Sequence, residues 1–152
     1  MELQIFQGKT EEKQQVENYL LENTEFTAHP KELIGKDKPE RALIKIIVDQ
    51  ELVGFFALDE NAMTEFCGEA HLVIRALSIS EAHRRKYYAK EALEALPAFV
   101  GQHFPKAEVL ILAVNHANEN GQKLYQKVGF HDTTQRKIGK LGEQFIFKKA
   151  LR

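Results

Sequence analysis

An uninterrupted apolar run at residues 109–114, Val-Leu-Ile-Leu-Ala-Val, constrains the fold of this chain more than any other segment. Such a run is typical of a β-strand that is buried on both faces, and therefore of a strand with a parallel neighbour. A second, largely apolar strand is predicted at 69–79, and an apolar stripe with helical spacing lies between the two, from Ala89 to Phe104. Residues 69–114 therefore predict a strand–helix–strand unit, whose strand ends and helix N-terminus commonly form a ligand site.

The segments on either side of this unit predict further strands and helices. In chain order they are a short strand near 3–5, a helix capped by Thr10, a loop region with at most one helical turn at 24–40, a hairpin of strands at 42–48 and 52–58, a helix at 118–127, and strands at 130–138 and 144–150. Pro97 lies inside the stripe of the central helix and is predicted to kink that helix or split it near Leu96. The prediction is an α/β protein, in the α+β sense of a mixed sheet, with about seven strands and about four helices.

Length and charge narrow the class of protein. A chain of 152 residues suits one compact domain, so residues 1–152 are predicted to fold as a single unit. The net charge of −1 argues against wholesale binding to nucleic acid or to a membrane surface. No apolar stretch approaches the ~18 to 20 residues needed to span a bilayer, and residues 1–7 are too acidic for a signal peptide. The single cysteine, Cys67, cannot form an internal disulfide, and a cytoplasmic protein is expected.

The junction between the strand at 69–79 and the central helix concentrates positive charge. A helix N-terminus already carries roughly +0.5 of an elementary charge, so each cation there costs about 0.3 to 1 kcal/mol unless an anion lies nearby. We call this junction, residues 83–90, the basic turn. It predicts a phosphate-bearing ligand held on the first free backbone N–H groups of the helix. Its cationic or titratable side chains are His83, Arg84, Arg85, Lys86 and Lys90.

Two motifs, together with the order of elements, resemble the GNAT superfamily of N-acetyltransferases. The first, Arg/Gln-x-x-Gly-x-Gly/Ala, corresponds to residues 84–89, Arg-Arg-Lys-Tyr-Tyr-Ala, with Arg85 and Tyr87 where such proteins often or usually have glycine. The second, Asn-x-x-Ala-x-x-Leu-Tyr-x-Lys-x-Gly-Phe, corresponds closely to residues 118–130, Asn-Glu-Asn-Gly-Gln-Lys-Leu-Tyr-Gln-Lys-Val-Gly-Phe. The resemblance implies a GNAT-like fold in which a central parallel pair of strands, 72–79 and 109–114, splays apart.

By this resemblance the ligand is acetyl-CoA, bound as the acetyl donor. Its pyrophosphate would lie on backbone N–H groups of the basic turn, and backbone groups of Leu77 and Ile79 would pair with the amides of its pantetheine arm. The N–H of Ile79 or its neighbour would then stabilise negative charge on the thioester carbonyl oxygen. The residues implied in donor binding are Leu77, Ile79, Arg84, Arg85, Lys86, Tyr87, Tyr88, Ala89, Lys90 and Asn118.

The same resemblance assigns Tyr125 as the general acid that protonates the departing CoA thiolate. An alkylammonium acceptor must also lose a proton before it attacks, so a general base is expected. That base is left open between Glu69 and His71, near the start of the strand at 69–79, because related proteins often place a glutamate or histidine on this strand. A solvated strand end is the alternative explanation for both side chains. No Cys/His spacing suggests zinc, and no metal is expected.

The resulting prediction is an acetyl-CoA-dependent N-acetyltransferase in which a primary amine attacks directly in a ternary complex. The acceptor is expected to be a small-molecule amine or a protein amino group, bound between a loop at 26–33 and the hairpin near Gly139, and the protein could form a homodimer. One alternative is a non-catalytic acyl-CoA-binding module of the same fold, which the missing glycines and the open base assignment motivate. A weaker alternative is a domain whose basic turn binds RNA phosphates, although no nucleic-acid partner is expected because stacking aromatics are sparse there.

Overall fold

The computed structural model describes residues 1–151, which form seven strands and four α-helices. The strands are β1 (Glu2–Ile5), β2 (Arg41–Val48), β3 (Glu51–Glu60), β4 (His71–Ile79), β5 (Val109–Asn115), β6 (His131–Gly139) and β7 (Gly142–Ala150). The helices are α1 (Thr10–Glu17), α2 (Pro30–Gly35), α3 (Tyr88–His103) and α4 (Glu119–Lys127), with a 3-10 turn at Glu81–His83. The predicted order of elements is confirmed, and Arg152, the last residue of the predicted domain, lies outside the described residues.

The strands form one sheet in the order β1-β2-β3-β4-β5-β7-β6. Within residues 1–151 the neighbouring strands are antiparallel except β4 and β5, which run parallel. The parallel pair arises because α3 returns the chain to the end of the sheet where β4 began, as a strand–helix–strand unit requires. The predicted α/β class with a mixed sheet is therefore confirmed.

β4 and β5 separate after a short paired stretch. Residues 71–73 of β4 pair with residues 109–111 of β5, and the pairing ends there. Beyond this point β4 stays with β3, while β5 pairs with β7 as far as Asn115. A bulge helps to turn β4 away, because its register with β3 shifts near Ala76, whose φ is 54°. The sheet therefore contains the predicted splay, a wedge-shaped gap between its two central strands.

Helices cover both faces of the sheet. α3 packs Leu93 and Leu96 against one face, in the same apolar cluster as Leu110 and Leu112 of β5. Ile111, between those two leucines, belongs to a cluster on the opposite face, which accounts for the uninterrupted apolar run of this strand. α1 and α2 cover that opposite face beside β2 and β3. The gap between β4 and β5 thus lies between two helical layers.

Candidate active site

Two cavities meet at the gap between β4 and β5. The first, which we call the basic groove, has a volume of about 690 Å³ and lies between the basic turn, the N-terminus of α3 and α4. The second, the splay cleft, has a volume of about 790 Å³ and lies between the gap, the loop after α1 and the β6–β7 hairpin. Thr27, Leu77 and Arg84 line both cavities. A ligand that fills the basic groove can therefore extend into the splay cleft.

The basic turn has the backbone conformation that glycine favours, although it contains no glycine. Arg85 has φ of 65° and Tyr87 has φ of 61°, so both residues are left-handed. Each such non-glycine residue costs roughly 1–2 kcal/mol. The Tyr87 side chain is 77% exposed and does not pack beneath the helix. The two positions that depart from the family motif thus keep the backbone path that glycine would give, at a cost in strain.

The groove is suited to phosphate in both backbone and charge. Tyr87 precedes the first turn of α3 and makes no side-chain capping hydrogen bond, so no cap competes for the first N–H groups of this helix. No carboxylate occurs among the described residues that line the groove. His83 is also present, but its Nε2 atom lies 3.0 Å from Glu51. The remaining cationic side chains of the groove are Arg84, Arg85, Lys86, Lys90, Lys123 and Lys127.

The free edge of β4 leads from this groove into the gap. Ser80 donates its N–H to Val53 of β3 at 2.8 Å, and successive N–H groups of a strand point to opposite neighbours, so the N–H of Ile79 faces the gap. Thr27 donates its hydroxyl to the carbonyl of Leu77 at 3.1 Å, which holds the loop after α1 against this edge. The carbonyl of Ile79 accepts from Nε of Arg84 at 3.4 Å. The N–H groups of Leu77 and Ile79 therefore lie where an extended ligand could pair with the strand.

Tyr125 reaches the same gap from α4. It lines the splay cleft half-buried, and its ring meets Phe130 edge-on with centroids 5.8 Å apart. Burial raises the pKa of its phenol to about 12. The hydroxyl therefore stays protonated, and able to donate, throughout the neutral range.

Asn118 fixes the start of α4. Its Oδ1 atom accepts a hydrogen bond from the N–H of Gly121 at 3.0 Å, which makes it the N-cap of the helix. A Cβ on Gly121 would lie 2.6 Å from the Asn118 amide, so the glycine permits this close cap. Asn118 also lines the splay cleft.

The structure does not bring Glu69 and His71 to either cavity. His71 is 2% exposed and stands at the end of β4 that is still paired with β5. Its Nε2 atom accepts from the N–H of Met63 at 3.0 Å, and its Nδ1 atom donates to the carbonyl of Glu69 at 2.8 Å. Both residues lie at the closed end of the splay, and His71 is occupied in holding the turn before β4. The assignment of either residue as a base stays a prediction, and this placement does not favour it.

Sequence reasoning assigned no role to Arg75, Lys137 and Lys140, which line the splay cleft. Glu25, on the exposed loop after α1, is the one carboxylate among the described residues that line this cleft, and no histidine lines it there. Arg75 could have been found, because it interrupts an otherwise apolar strand. The two lysines belong to the terminal hairpin, which sequence reasoning expected beside the acceptor through Gly139 without singling out its cations.

Arg75 is held in position by a buried carboxylate. Asp59 on β3 is fully buried and accepts hydrogen bonds from Arg41 at 2.6 and 2.8 Å and from Nε of Arg75 at 2.7 Å. Burial alone would raise the pKa of Asp59, but the hydrogen bonds from Arg41 and Arg75 outweigh it and hold that pKa below its ordinary value. Asp59 thus stays charged and orients the guanidinium of Arg75.

Cys67 does not line either cavity. The thiol of Cys67 is buried, and burial raises its pKa, so it is a poor nucleophile. Within residues 1–151 no three His, Cys, Asp or Glu side chains come together as a metal site. Helices in the same part of the chain are all too short or too polar to cross a membrane.

These features define the class of protein. A cationic, uncapped start of α3, an edge of β4 with no strand partner and a phenol at the gap are the features expected of an acyl-CoA-dependent transferase. The model of the acetyltransferase (GNAT) family matches residues 5–130, and the chain belongs to that family. The protein is therefore an N-acetyltransferase that takes its acetyl group from acetyl-CoA.

Individual relatives agree with this membership. The chain is 37% identical over 150 residues to the uncharacterized N-acetyltransferase YbbJ of Bacillus subtilis, which covers 94% of each chain. Its fold is similar to the ribosomal-protein-S18-alanine N-acetyltransferase of Escherichia coli, with a TM-score of 0.69 and 14% identity over 99% of this chain and 94% of that one. It is also similar to an aminoglycoside 6′-N-acetyltransferase complexed with coenzyme A, with a TM-score of 0.70 and 14% identity over 100% and 98% of the two chains.

Proposed function

We propose that the protein transfers the acetyl group directly from acetyl-CoA to a primary amine where the basic groove and the splay cleft meet. The observation that carries the proposal is the convergence of the unpaired edge of β4 and the Tyr125 phenol on one gap. The donor would enter through the basic groove and the amine through the splay cleft. Both cavities are lined by Leu77, so the two ligands would meet beside this strand edge.

Donor binding follows from the groove. The free N–H groups at the start of α3 and the cationic side chains around them would hold the phosphates, because charge-assisted hydrogen bonds to phosphate are the strongest that a surface groove offers. The edge of β4 would pair with the amides of the pantetheine arm as an added strand does. This arrangement brings the thioester towards Ile79, whose N–H would donate to the carbonyl oxygen as negative charge develops there.

The transfer itself needs one bond made and one broken. The nitrogen of the neutral amine forms a bond to the carbonyl carbon, the carbon–sulfur bond breaks, and the amine nitrogen releases its extra proton to water. Tyr125 donates its phenolic proton to the departing thiolate and recovers a proton from solvent. The products are an N-acetylated amine and the free thiol of CoA, with no covalent enzyme intermediate.

The lining of the splay cleft supports proton loss to solvent in place of a dedicated base. Within residues 1–151, its titratable side chains are cationic apart from the Tyr125 phenol and Glu25 at the exposed loop. Nearby positive charge disfavours an ammonium ion, so Arg75 and Lys137 would lower the pKa of a bound amine below its usual ~10.4. A larger neutral fraction of the acceptor is then available to attack.

The acceptor is proposed to be a small-molecule amine or a protein amino group. The E. coli relative is named for a protein N-terminal alanine and the other structure for an aminoglycoside, so amines of both kinds occur among similar folds. A single domain, a homodimer and a cytoplasmic location belong to the same proposal. Light scattering of the purified chain would measure the oligomeric state.

The proposal is tested first by donor binding and then by turnover. Acetyl-CoA at 100 times its dissociation constant stabilises a protein by about 2.7 kcal/mol, so the melting temperature should rise by several degrees. Release of free thiol in the presence of an amine panel then separates an enzyme from a binding module. A melting shift without thiol release would favour the non-catalytic module, and no shift at millimolar acetyl-CoA would refute both.

Tyr125→Phe tests the acid. We expect kcat to fall about 100-fold or more, with KM for acetyl-CoA changed little, because the variant removes only the proton donor. In the wild type the rate should rise with pH as the acceptor loses its proton. It should fall again only as the pH approaches the Tyr125 pKa of about 12. A variant with wild-type kcat across this range would show that the thiolate leaves without Tyr125.

A further inference from the structure

We infer that the acceptor is a primary amine that also carries an anionic group, a carboxylate or a phosphate, which the cations of the splay cleft bind. This inference rests on the proposed function. It names the substrate class that the cleft selects, and it excludes polycationic amines as good substrates.

The first argument is the balance of charge in the cleft. Its lining contains four cationic side chains and, within the described residues, a single carboxylate, that of Glu25. The protein as a whole has a net charge of −1, so this excess is local. The cations come from β4, the basic turn, β6 and the β6–β7 turn, and the fold brings them to one cavity. They are Arg75, Arg84, Lys137 and Lys140.

The second argument is the unsatisfied charge around Arg75. Asp59 carries one negative charge and already receives both hydrogen bonds of a bidentate contact from Arg41. Lys38 lies 3.6 Å from the same carboxylate, so three cations share one anion. Arg75 contributes only its Nε atom to that contact, and the described residues accept no hydrogen bond from its Nη atoms. A planar anion is the natural partner for the free side of such a guanidinium.

The third argument is the contrast along β6. Arg136 forms two hydrogen bonds with Asp132, at 2.8 and 3.0 Å, and its guanidinium lies 4.1 Å from the ring of Phe145. Lys137, the next residue, lines the cleft, and no carboxylate among residues 1–151 lies within 4.0 Å of it or of Lys140. Two neighbouring cations of one hairpin are therefore treated differently. The one turned from the cleft has protein partners, and those that line it are available to a ligand.

The mouth of the cleft adds an apolar contribution. Phe26 and Leu141 line it from opposite sides and are 40% and 53% exposed, which is high for large apolar side chains. An acceptor with an apolar body can cover them while its anion reaches the cations. An aromatic amino acid is therefore a suitable probe for the experiment.

The experiment measures binding of acetylated amines to the CoA-loaded protein by calorimetry, which avoids differences in amine ionisation. N-acetyl-phenylalanine is compared with its neutral amide, and N-acetyl-phosphoethanolamine with N-acetylethanolamine. We expect at least one anionic member to bind tenfold or more tightly than its neutral partner. The pair that shows the larger preference identifies carboxylate or phosphate as the group bound.

Variants locate the preference in the cleft. The double substitution Lys137→Gln with Lys140→Gln should abolish most of the preference and leave binding of the neutral partners and of acetyl-CoA within twofold. Both side chains lie on the terminal hairpin outside the buried core, so folding is retained. Lys106→Gln, an exposed lysine in the loop after α3, is the matched control and should keep the full preference.

The outcomes separate this inference from the proposed function. Equal binding of anionic and neutral partners would overturn the inference, as would a preference that survives the double substitution. A preference that the double substitution removes would support the inference even if no amine were acetylated. In that last case the failure would belong to the proposed catalysis alone.

Discussion

Tyr87 illustrates how a single residue can preserve a binding site at a cost in stability. Its φ of 61° is forced by the turn and not by the side chain, which is 77% exposed. The backbone N–H groups that follow are the same for tyrosine and for glycine. The substitution therefore changes the free energy of the folded state more than the layout of hydrogen-bond donors.

We expect Tyr87→Gly to stabilise the protein by about 1 kcal/mol, because glycine adopts a left-handed conformation without steric cost. For a chain of this size that corresponds to roughly 2–4 °C in melting temperature. The contrasting variant is Tyr88→Gly at the first position of α3, where glycine should destabilise by at least about 1 kcal/mol because the tyrosine also packs against the core. A lower melting temperature for Tyr87→Gly than for the wild type would mean that the turn is not strained.

Asp59 is a buried anion that three cationic side chains share. Asp59→Asn leaves Arg41 and Arg75 without their anion, and we expect a loss of about 3 kcal/mol in the free energy of unfolding at pH 7. The folded-state pKa of Asp59 is lowered, so its contribution is present above the unfolded pKa of about 3.9 and is lost as pH falls through the folded pKa.

Chemical denaturation at pH 7 and at pH 3 measures this prediction. The wild type should lose more stability than Asp59→Asn on acidification, because only the wild type has this carboxylate to protonate. Parallel losses in the two proteins would assign the acid sensitivity to other carboxylates, of which Glu12, paired with Lys45 at 2.6 Å, is a candidate.

At the scale of elements, the path of β4 depends on one residue, Ala76, whose left-handed conformation the sequence does not predict. Ala76 has φ of 54° at the bulge where β4 turns from its register with β3. Ala76→Val should destabilise the protein by about 1–3 kcal/mol, because a β-branched side chain fits poorly in this conformation. It should also raise KM for acetyl-CoA several-fold by shifting the strand edge at Leu77. Ala76→Gly is the control and should keep KM; equal KM values for Val, Gly and Ala would separate the bulge from donor binding.

The elements that local patterns define were predictable from sequence. Consecutive residues are enough to predict three of these features, namely the apolar run of β5, the cationic start of α3 and the motif of α4. Elements set by distant contacts were less so. Thr10, predicted to cap α1, is its first helical residue, and Lys9 is the N-cap. The helix ends at Glu17, after which Tyr19 turns to hydrogen-bond Ser78 at 2.8 Å. A kink or a split was predicted at Pro97, and α3 is not split there, because the core around Leu96 holds both halves.

The basic groove was predictable from sequence because residues 83–90, which line most of it, are one continuous segment. For the splay cleft, sequence reasoning expected the loop at 26–33 and the hairpin near Gly139 but not the cations. Those cations come from β4 and a distant hairpin and meet only in the folded chain. Alternation along β4 predicts which face of the sheet Glu69 and His71 share. It does not predict where the pairing with β5 ends, and that point determines how far both residues lie from the open gap.

For the whole molecule, charge is segregated although its sum is close to zero. A net charge of −1 coexists with two adjoining cavities whose charged lining residues are mainly cationic. Both the donor phosphates and an anionic acceptor would be attracted to this one region. Exposed charges are screened beyond about 8 Å at physiological ionic strength, so the attraction acts within the cavities more than at long range.

The short pairing of β4 with β5 also affects the rigidity of the sheet. Four strands lie on one side of this seam and three on the other, and three residue pairs join them in strand register. A donor lying along the edge of β4 would form hydrogen bonds like those of a neighbouring strand where the protein has no strand pairing. The bound donor would then strengthen the connection between the two parts of the sheet. The sheet would be most rigid while the enzyme holds the acetyl group that it is about to transfer.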